Sequence, residues 1–473
     1  MKLLKSSAKP LGWGESFLCL ALAVAFFQLA YASVKIPAAG LLIFGYAYFL
    51  VRLTDQPTVR RVFYFGLTAG FACVTGQAFF LWGIFGPAAI VLWLVFAIWI
   101  AFFTAIACGC IQRWGKAKAV WLIPFIWTGL EYFRSELYYL KFSWLNVGYA
   151  FPNFTIAPMD VFGMYAVGFL TFAVASIISF REFVKKKWTN LFWIGLVLLI
   201  PLAWLRSTII AARRERPFPP LNLVGVQLEF PSHGVILKML DHALAKNTNA
   251  PIFVLSEYTL DGLVPDSLKN WCREHSRYLV VGGEDPAGKD NFYDTAFVVS
   301  TNGEVVFKQA KCVPIQFFRD GLPASKQEVW NSPWGKIGIC ICYDLSYTRV
   351  TDQLVEEGAQ LLIVPTMDVE DWGRHEHELH SRVAPVRAAE YGIPIFRVAS
   401  SGISQAVAWT GNIVAQTSIP RVGEIFSAQF RLPMRGSLPA DRILAPFCVG
   451  VTGVILLALL ILVWKDKRAK PKN

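Results

Sequence analysis

Three side chains could together form an activated nucleophile: Glu257, a lysine at 308 or 311, and Cys342. Glu257 lies in the run 251–262 (PIFVLSEYTLDG), at the C-terminal end of an apolar strand. The two lysines lie in 302–315 (NGEVVFKQAKCVPI), and Cys342 ends the strand in 335–347 (GKIGICICYDLSY). A carboxylate beside a thiol can take its proton as a general base. An ammonium beside both favours the thiolate and steadies a tetrahedral oxyanion. Backbone N–H groups after Cys342 would supply a second oxyanion donor. Singly, each residue has a plainer reading: a strand-edge charge, a surface lysine in a polar turn, a small buried hydrophobe. The order Glu, Lys, Cys, each inside its own segment, favours covalent catalysis by the thiol.

Such residues need strands that end at one place, and the surrounding pattern provides them. Short apolar runs at 252–255, 279–281, 296–299, 337–341 and 361–364 read as buried strands. Helical stretches at 350–358 and 377–391 lie between or after them, an α/β pattern. No internal repeat, low-complexity tract or phosphate-cradling glycine loop interrupts it. The run 375–380 (HEHELH) lacks the i, i+4 histidine pair with Glu directly after the first that a zinc protease carries. It reads as a polar, partly exposed helix start, and no metal is expected. Of nine cysteines, Cys272, Cys312, Cys340 and Cys342 fall in this region without zinc-site spacing. An oxidising compartment would permit a disulfide among them.

The rest of the chain is of another kind. Of 473 residues, 55% are hydrophobic and only 16% charged, with mean hydropathy +0.45. A soluble enzyme carries about 25% charged residues. The net charge of +12 divides unevenly. Residues 218–440 hold 19 Lys and Arg against 24 Asp and Glu, net −5, which leaves +17 for the flanks. Basicity therefore borders apolar segments, and nucleic acid is excluded as a partner. Uncharged runs at 16–34, 36–51, 62–112 (two helices, turning near Gly83, Gly86 and Pro87), 161–180, 188–205 and 443–464, with a weaker span at 119–133 that ends around Glu131, give eight expected spans. A cleaved leader is the competing reading of the first run, but more spans follow at once.

Lys2, Lys5, Lys9, Arg52, Arg60, Arg61, Arg113, Lys116, Lys118, Arg181, Lys185 to Lys187 and the basic tail (Lys465, Lys467, Arg468, Lys470, Lys472) then fall inside. Lys35, Arg134 and Lys141 fall outside, with Arg213, Arg214 and Arg216 the exception. The expected domains are 1–217 (seven transmembrane helices), 218–440 (outside) and 441–473 (the eighth helix and a cytoplasmic tail).

The three segments resemble the Glu–Lys–Cys triad of the nitrilase, or carbon–nitrogen hydrolase, superfamily. The motifs 387–392 (RAAEYG) and 397–404 (RVASSGIS) resemble it too. A domain inserted between the seventh and eighth spans is similar to the membrane-embedded apolipoprotein N-acyltransferases of that superfamily. So are the segments 127–135 (WTGLEYFRS) and 142–149 (FSWLNVGY).

The resemblance implies a multi-pass helical membrane domain plus an α-β-β-α sandwich in the bacterial cytoplasmic membrane, with the catalytic domain on the periplasmic side. It implies that Cys342 takes an acyl chain from a membrane phospholipid and yields it to the α-amino group of a diacylglyceryl cysteine on an apolipoprotein. Glu257 would move the proton and Lys311, spaced correctly from the turn glycine Gly303, would hold the oxyanion; Lys308 is the alternative. Tyr343, Asp344 and Asp320 are candidates for oxyanion or substrate positioning. Asp320 is the nearest carboxylate to a family glutamate that is missing here, and Asp344 stands where Glu is common. No cofactor is implied, and a monomer is expected. An amidase or hydrolase using the same triad, and a catalytically dead scaffold, are the competing functions.

Overall fold

The structure is a computed structural model and describes residues 9–32, 36–152, 159–214, 220–418, 423–433 and 435–469. Lys2, Lys5, Lys35, Arg216, Lys470 and Lys472, used above for orientation, lie outside the described residues. The chain divides into two units, Met1–Leu205 with Ala440–Asn473, and Arg206–Pro439.

The first unit is helical. Its longer helices are Trp13–Ala30, Ile43–Leu53, Val59–Gln77, Ala89–Trp114, Lys116–Tyr132, Met164–Phe180, Lys186–Arg214 and Asp441–Ala469. Four stretches are long and apolar enough to cross a membrane: Trp13–Ala30, Phe80–Trp114, Lys186–Arg206 and Asp441–Arg468. The expectation of eight spans is therefore met only in part. Ile43–Leu53 and Met164–Phe180 are apolar but short, because Pro37 and Gly163 delay helix entry. Lys116–Tyr132 carries Pro124 inside it.

The helices pack through small residues and aromatic rings. A Cβ at Gly66 would meet the Thr104 hydroxyl and lie 2.9 Å from the Ala101 Cα, so only glycine lets Val59–Gln77 come this close to Ala89–Trp114. Trp127 stacks on Phe172 with centroids 3.8 Å apart.

The second unit is built on two six-stranded sheets. The strands are β1 (Leu221–Val226), β2 (Ile252–Leu255), β3 (Tyr278–Pro286), β4 (Phe292–Val299), β5 (Val305–Ala310), β6 (Val329–Ser332), β7 (Gly335–Ile339), β8 (Leu361–Thr366), β9 (Ile395–Ala399), β10 (Gln405–Val407), β11 (Ile413–Gln416) and β12 (Ile425–Phe430). One sheet runs β12-β1-β2-β3-β4-β5 and the other β11-β10-β9-β8-β7-β6. The central pairs β1–β2, β2–β3, β7–β8 and β8–β9 are parallel, and the outer pairs are antiparallel.

Parallel strands need both faces covered, and their fully buried apolar composition reflects this. Helices His233–Lys246 and Asp266–His275 close one face of the first sheet over a core of Val224, Ile236, Leu240, Phe253, Trp271 and Val281. Phe396 of β9 stacks on Phe426 of β12 at 4.8 Å and joins the two sheets.

The expected strands are present, although that over 337–341 ends at Ile339, whereas the single helix expected over 377–391 is two: Arg374–His380 and Val383–Tyr391. Pro385 has no N–H to bond the Ser381 carbonyl, so the chain turns there.

Candidate active site

Each of the three expected residues follows the C-terminal end of a strand. Glu257 comes two residues after β2, Lys311 directly after β5, and Cys342 three residues after β7. In the first sheet β5 runs in the same direction as β2 and β3, through two antiparallel steps, so the ends of β2 and β5 lie on one side. The ends of parallel β7 and β8 bring Cys342 and Met367 to the same place, a crevice position typical of α/β sites.

Lys311 Nζ lies 2.7 Å from Glu257 Oε1, 2.7 Å from Asp320 Oδ2 and 3.4 Å from Asp294 Oδ2, and all four side chains are buried. Burial alone would strip the proton from this ammonium, but the carboxylates of Asp320 and Glu257 outweigh it and hold the lysine charged. Burial likewise works against ionised Glu257, yet Lys311 keeps its carboxyl below the ordinary range. The Glu257 Oε2 accepts the Met367 backbone N–H at 2.5 Å. Asp320 also accepts the Tyr258 hydroxyl at 2.8 Å and the Ile315 N–H at 2.6 Å.

Cys342 is buried, and its Sγ–H reaches the Met367 carbonyl at 3.8 Å. Burial, and then the Glu257 charge, push the thiol well above its ordinary range, partly offset by Lys311. The resting group is therefore a thiol. Its backbone has φ +49°, in the left-handed region that costs a non-glycine residue about 1–2 kcal/mol. Tyr258 and Phe317 share that region, at φ +49° and +72°. Strain of this kind clusters where a side chain must be aimed.

Lys308 has a different setting. Its side chain is 58% exposed and pairs with Asp285 at 2.7 Å. Asp344 departs from a positioning role at the reacting atoms. Its oxygens accept the backbone N–H groups of Val313 (2.7 Å), Cys312 (3.1 Å) and Ile341 (3.3 Å), which ties the segment after β5 to the turn holding Cys342. Burial pushes this carboxyl up to about 6. Tyr343 is buried, with its ring edge-on to Tyr347 at 4.9 Å. All nine cysteines are free.

The run 375–380 is partly exposed only at His375 and Glu378. Glu376, His377 and His380 are buried, because they face a polar interior built by Asp368 and Arg397. Arg397 Nη2 lies 2.5 Å from Asp368 Oδ2, and His380 Nδ1 lies 2.7 Å from Asp368 Oδ1. Burial is outweighed by Arg397 in holding Asp368 well below its ordinary range. Asp368, Glu376 and His380 bring ligand-type atoms within 4.8 Å of one another. The Arg397 guanidinium, 3.0 Å from His380 Nδ1, already supplies the cation there.

Sequence reasoning missed Asp294, Met367 and Asp368, and it quoted the runs holding His380 (375–380) and Arg397 (397–404) without giving either residue a part in the site. Of the three missed residues, Asp294 alone left a signal: an acid inside the otherwise buried strand 292–299.

A strand-end Glu–Lys–Cys set on paired α/β sheets defines the class, and residues 216–439 match the carbon–nitrogen hydrolase family model. Residues 16–177 match the apolipoprotein N-acyltransferase N-terminal domain. The chain belongs to the apolipoprotein N-acyltransferase family and is an N-acyltransferase. Among its relatives, the apolipoprotein N-acyltransferase of Geobacter metallireducens is 22% identical, covering 76% of this chain and 79% of that one. That of Borreliella burgdorferi is 22% identical, covering 64% and 68%. A solved amidase of the nitrilase superfamily from Nesterenkonia is 18% identical with a TM-score of 0.39, covering 44% of this chain and 90% of that one.

Proposed function

We propose that this protein moves a fatty acyl chain from a membrane phospholipid to the α-amino group of the N-terminal diacylglyceryl cysteine of an apolipoprotein, through a thioester on Cys342. The observation that carries the reading is the buried contact of Lys311 with Glu257 beside the strained Cys342. Glu257 accepts the thiol proton as Sγ attacks the ester carbonyl. Lys311 and backbone N–H groups after Cys342 stabilise the oxyanion. The proton returns to the departing lysophospholipid oxygen. The incoming amine then attacks the thioester, gives its proton to Glu257 and receives the acyl chain as an amide, while the thiol is restored.

Both substrates carry acyl chains and partition into a bilayer. The apolar helices that precede and follow the catalytic unit in sequence, Lys186–Arg206 and Asp441–Arg468, suit a domain kept at that surface. The reading includes a multi-pass protein of the bacterial inner membrane with 218–440 on the periplasmic side.

The test is mass spectrometry of the Cys342 peptide after incubation with labelled phospholipid. An acylated Cys342 that discharges onto a diacylated lipopeptide is expected. Release of free fatty acid in its place would make the protein a hydrolase, and acylation retained in Cys342→Ala would end the reading.

A further inference from the structure

The site holds more acid than its ammonium can balance. Oxygens of Glu257, Asp294 and Asp320 lie within 4.8 Å of one another, all buried, around Lys311. Hydrogen-bond donors reach the three unequally. Asp320 accepts from Lys311, the Tyr258 hydroxyl and the Ile315 N–H. Glu257 accepts from Lys311 and the Met367 N–H. Among the described residues, no N–H or O–H donates to either side-chain oxygen of Asp294. Lys311 Nζ stands 3.4 Å from Oδ2, outside donating geometry, and the other neighbour of Asp294 is the Glu257 carboxyl. Two carboxyl groups in contact form a hydrogen bond only when one of them carries a proton, and a buried carboxylate without donors is expensive.

We propose that Asp294 is held as the neutral acid and donates its O–H to Glu257, which makes it the residue that positions the catalytic base. The carboxyl pair then carries a single negative charge. That charge resides on Glu257, the member placed to receive the Cys342 proton. With Asp320 ionised and Lys311 charged, the resting cluster carries one net negative charge and not two. Burial, followed by the neighbouring Glu257 charge, favours the protonated form of Asp294 in the same sense. The charged or titratable groups facing Asp294 are Glu257, Lys311 and Asp320, with the Tyr258 phenol beside them; Cys342 in turn faces Glu257, Lys311 and Asp368. The positioning role rests on the base role proposed above for Glu257; the protonation state of Asp294 does not.

Two measurements on the full-length protein in detergent test this. The first is the infrared C=O band of protonated aspartic acid at about pH 8, far above an ordinary Asp (~3.9), with carbon-13 in the aspartate side chains. The band is expected in the native protein and lost in Asp294→Asn. If the Asn variant does not fold, Asp294→Glu removes the labelled band in the same way.

The second is the pH dependence of Cys342 alkylation by iodoacetamide, read by mass spectrometry, which needs no lipid substrate. In Asp294→Asn the midpoint should stay where it is in the native protein, because a neutral group replaces a neutral group. Absence of the aspartic acid band, or an acidward move of about one to three units, as follows from removing a charge at this range, would overturn the proposal. If the band is present and Cys342 never accepts an acyl group from phospholipid, the function proposed above fails and this inference stands.

Discussion

Met367 donates its backbone N–H to Glu257 Oε2 at 2.5 Å, and its carbonyl oxygen receives the Cys342 Sγ–H at 3.8 Å. One peptide segment after β8 thus touches both Glu257, the proposed base, and Cys342, the proposed nucleophile. Asp368, the next residue, anchors that segment: its N–H bonds the Ser400 hydroxyl at 3.0 Å, and its carboxylate meets Arg397 and His380.

Removing the guanidinium should therefore harm both stability and chemistry. Arg397→Met removes the one permanent cation from the buried Asp368 carboxylate, leaving it only His380, and should cost about 3–5 kcal/mol of stability, read by thermal unfolding. Arg397→Lys restores the charge without the planar fork. It should recover much of the stability while Cys342 acylation remains slow, because the Met367 segment is no longer held in place.

The two lysines should separate cleanly. Lys311→Ala strands Glu257 and Asp320 without their shared cation and should abolish thioester formation. Lys308→Ala breaks only the exposed pair with Asp285, worth about 0–1 kcal/mol, and should acylate normally. Acylation lost in the second variant and kept in the first would transfer the oxyanion role to Lys308.

The strained backbone of Cys342 predicts an inverted order of stability. Ordinarily glycine is the less stable replacement. At φ +49° the Cβ is the burden, so Cys342→Gly should be more stable than Cys342→Ala by about 1 kcal/mol. Neither variant should form a thioester. Chemical denaturation of the pair, with acylation as the control, checks this.

Gly282 on β3 is a close neighbour of Glu257, the proposed base. A Cβ there would lie 2.6 Å from the Glu257 Cα and 2.8 Å from the Ser256 carbonyl oxygen. Gly282→Ala should keep the sheets but displace Glu257, and the acylation rate should drop about 100-fold, measured by single-turnover mass spectrometry.

Acid should weaken the catalytic unit through His380. Burial, against the pull of Asp368, lowers its imidazole below the ordinary 6.5. The unfolded chain then binds the proton more readily than the native one. The stability this contributes is complete above 6.5 and is lost as pH falls through the native value. His380→Gln should flatten the slope of melting temperature against pH in that window. Asp344, pushed up to about 6, acts with the opposite sign, so Asp344→Asn measured beside it should steepen the slope.

How far the sequence reached depended on how local each feature is. Glu257 and Cys342 could be picked out because each follows closely on a short apolar strand, whereas β5 is mixed and mostly exposed, so Lys311 was preferred to Lys308 only on the spacing from Gly303 that the family resemblance implies. Asp320 was picked out only as a nearby carboxylate; the structure sets it on Lys311. His380 was misread, because polarity suggests exposure unless the partners are known, and Asp368 and Arg397 arrive from other elements.

The sequence alone determined a nitrilase-like α/β unit flanked by apolar helices, together with a thiol, a carboxylate and a lysine in a fixed order. Periodicity and hydropathy are properties of neighbouring residues, so they survive in one dimension. Only the tertiary structure decided which carboxyls share the ammonium, which donors each one finds, and that Met367 bridges Glu257 and Cys342. Those relations depend on distances between the ends of separate strands, and on burial that makes every unmatched charge costly.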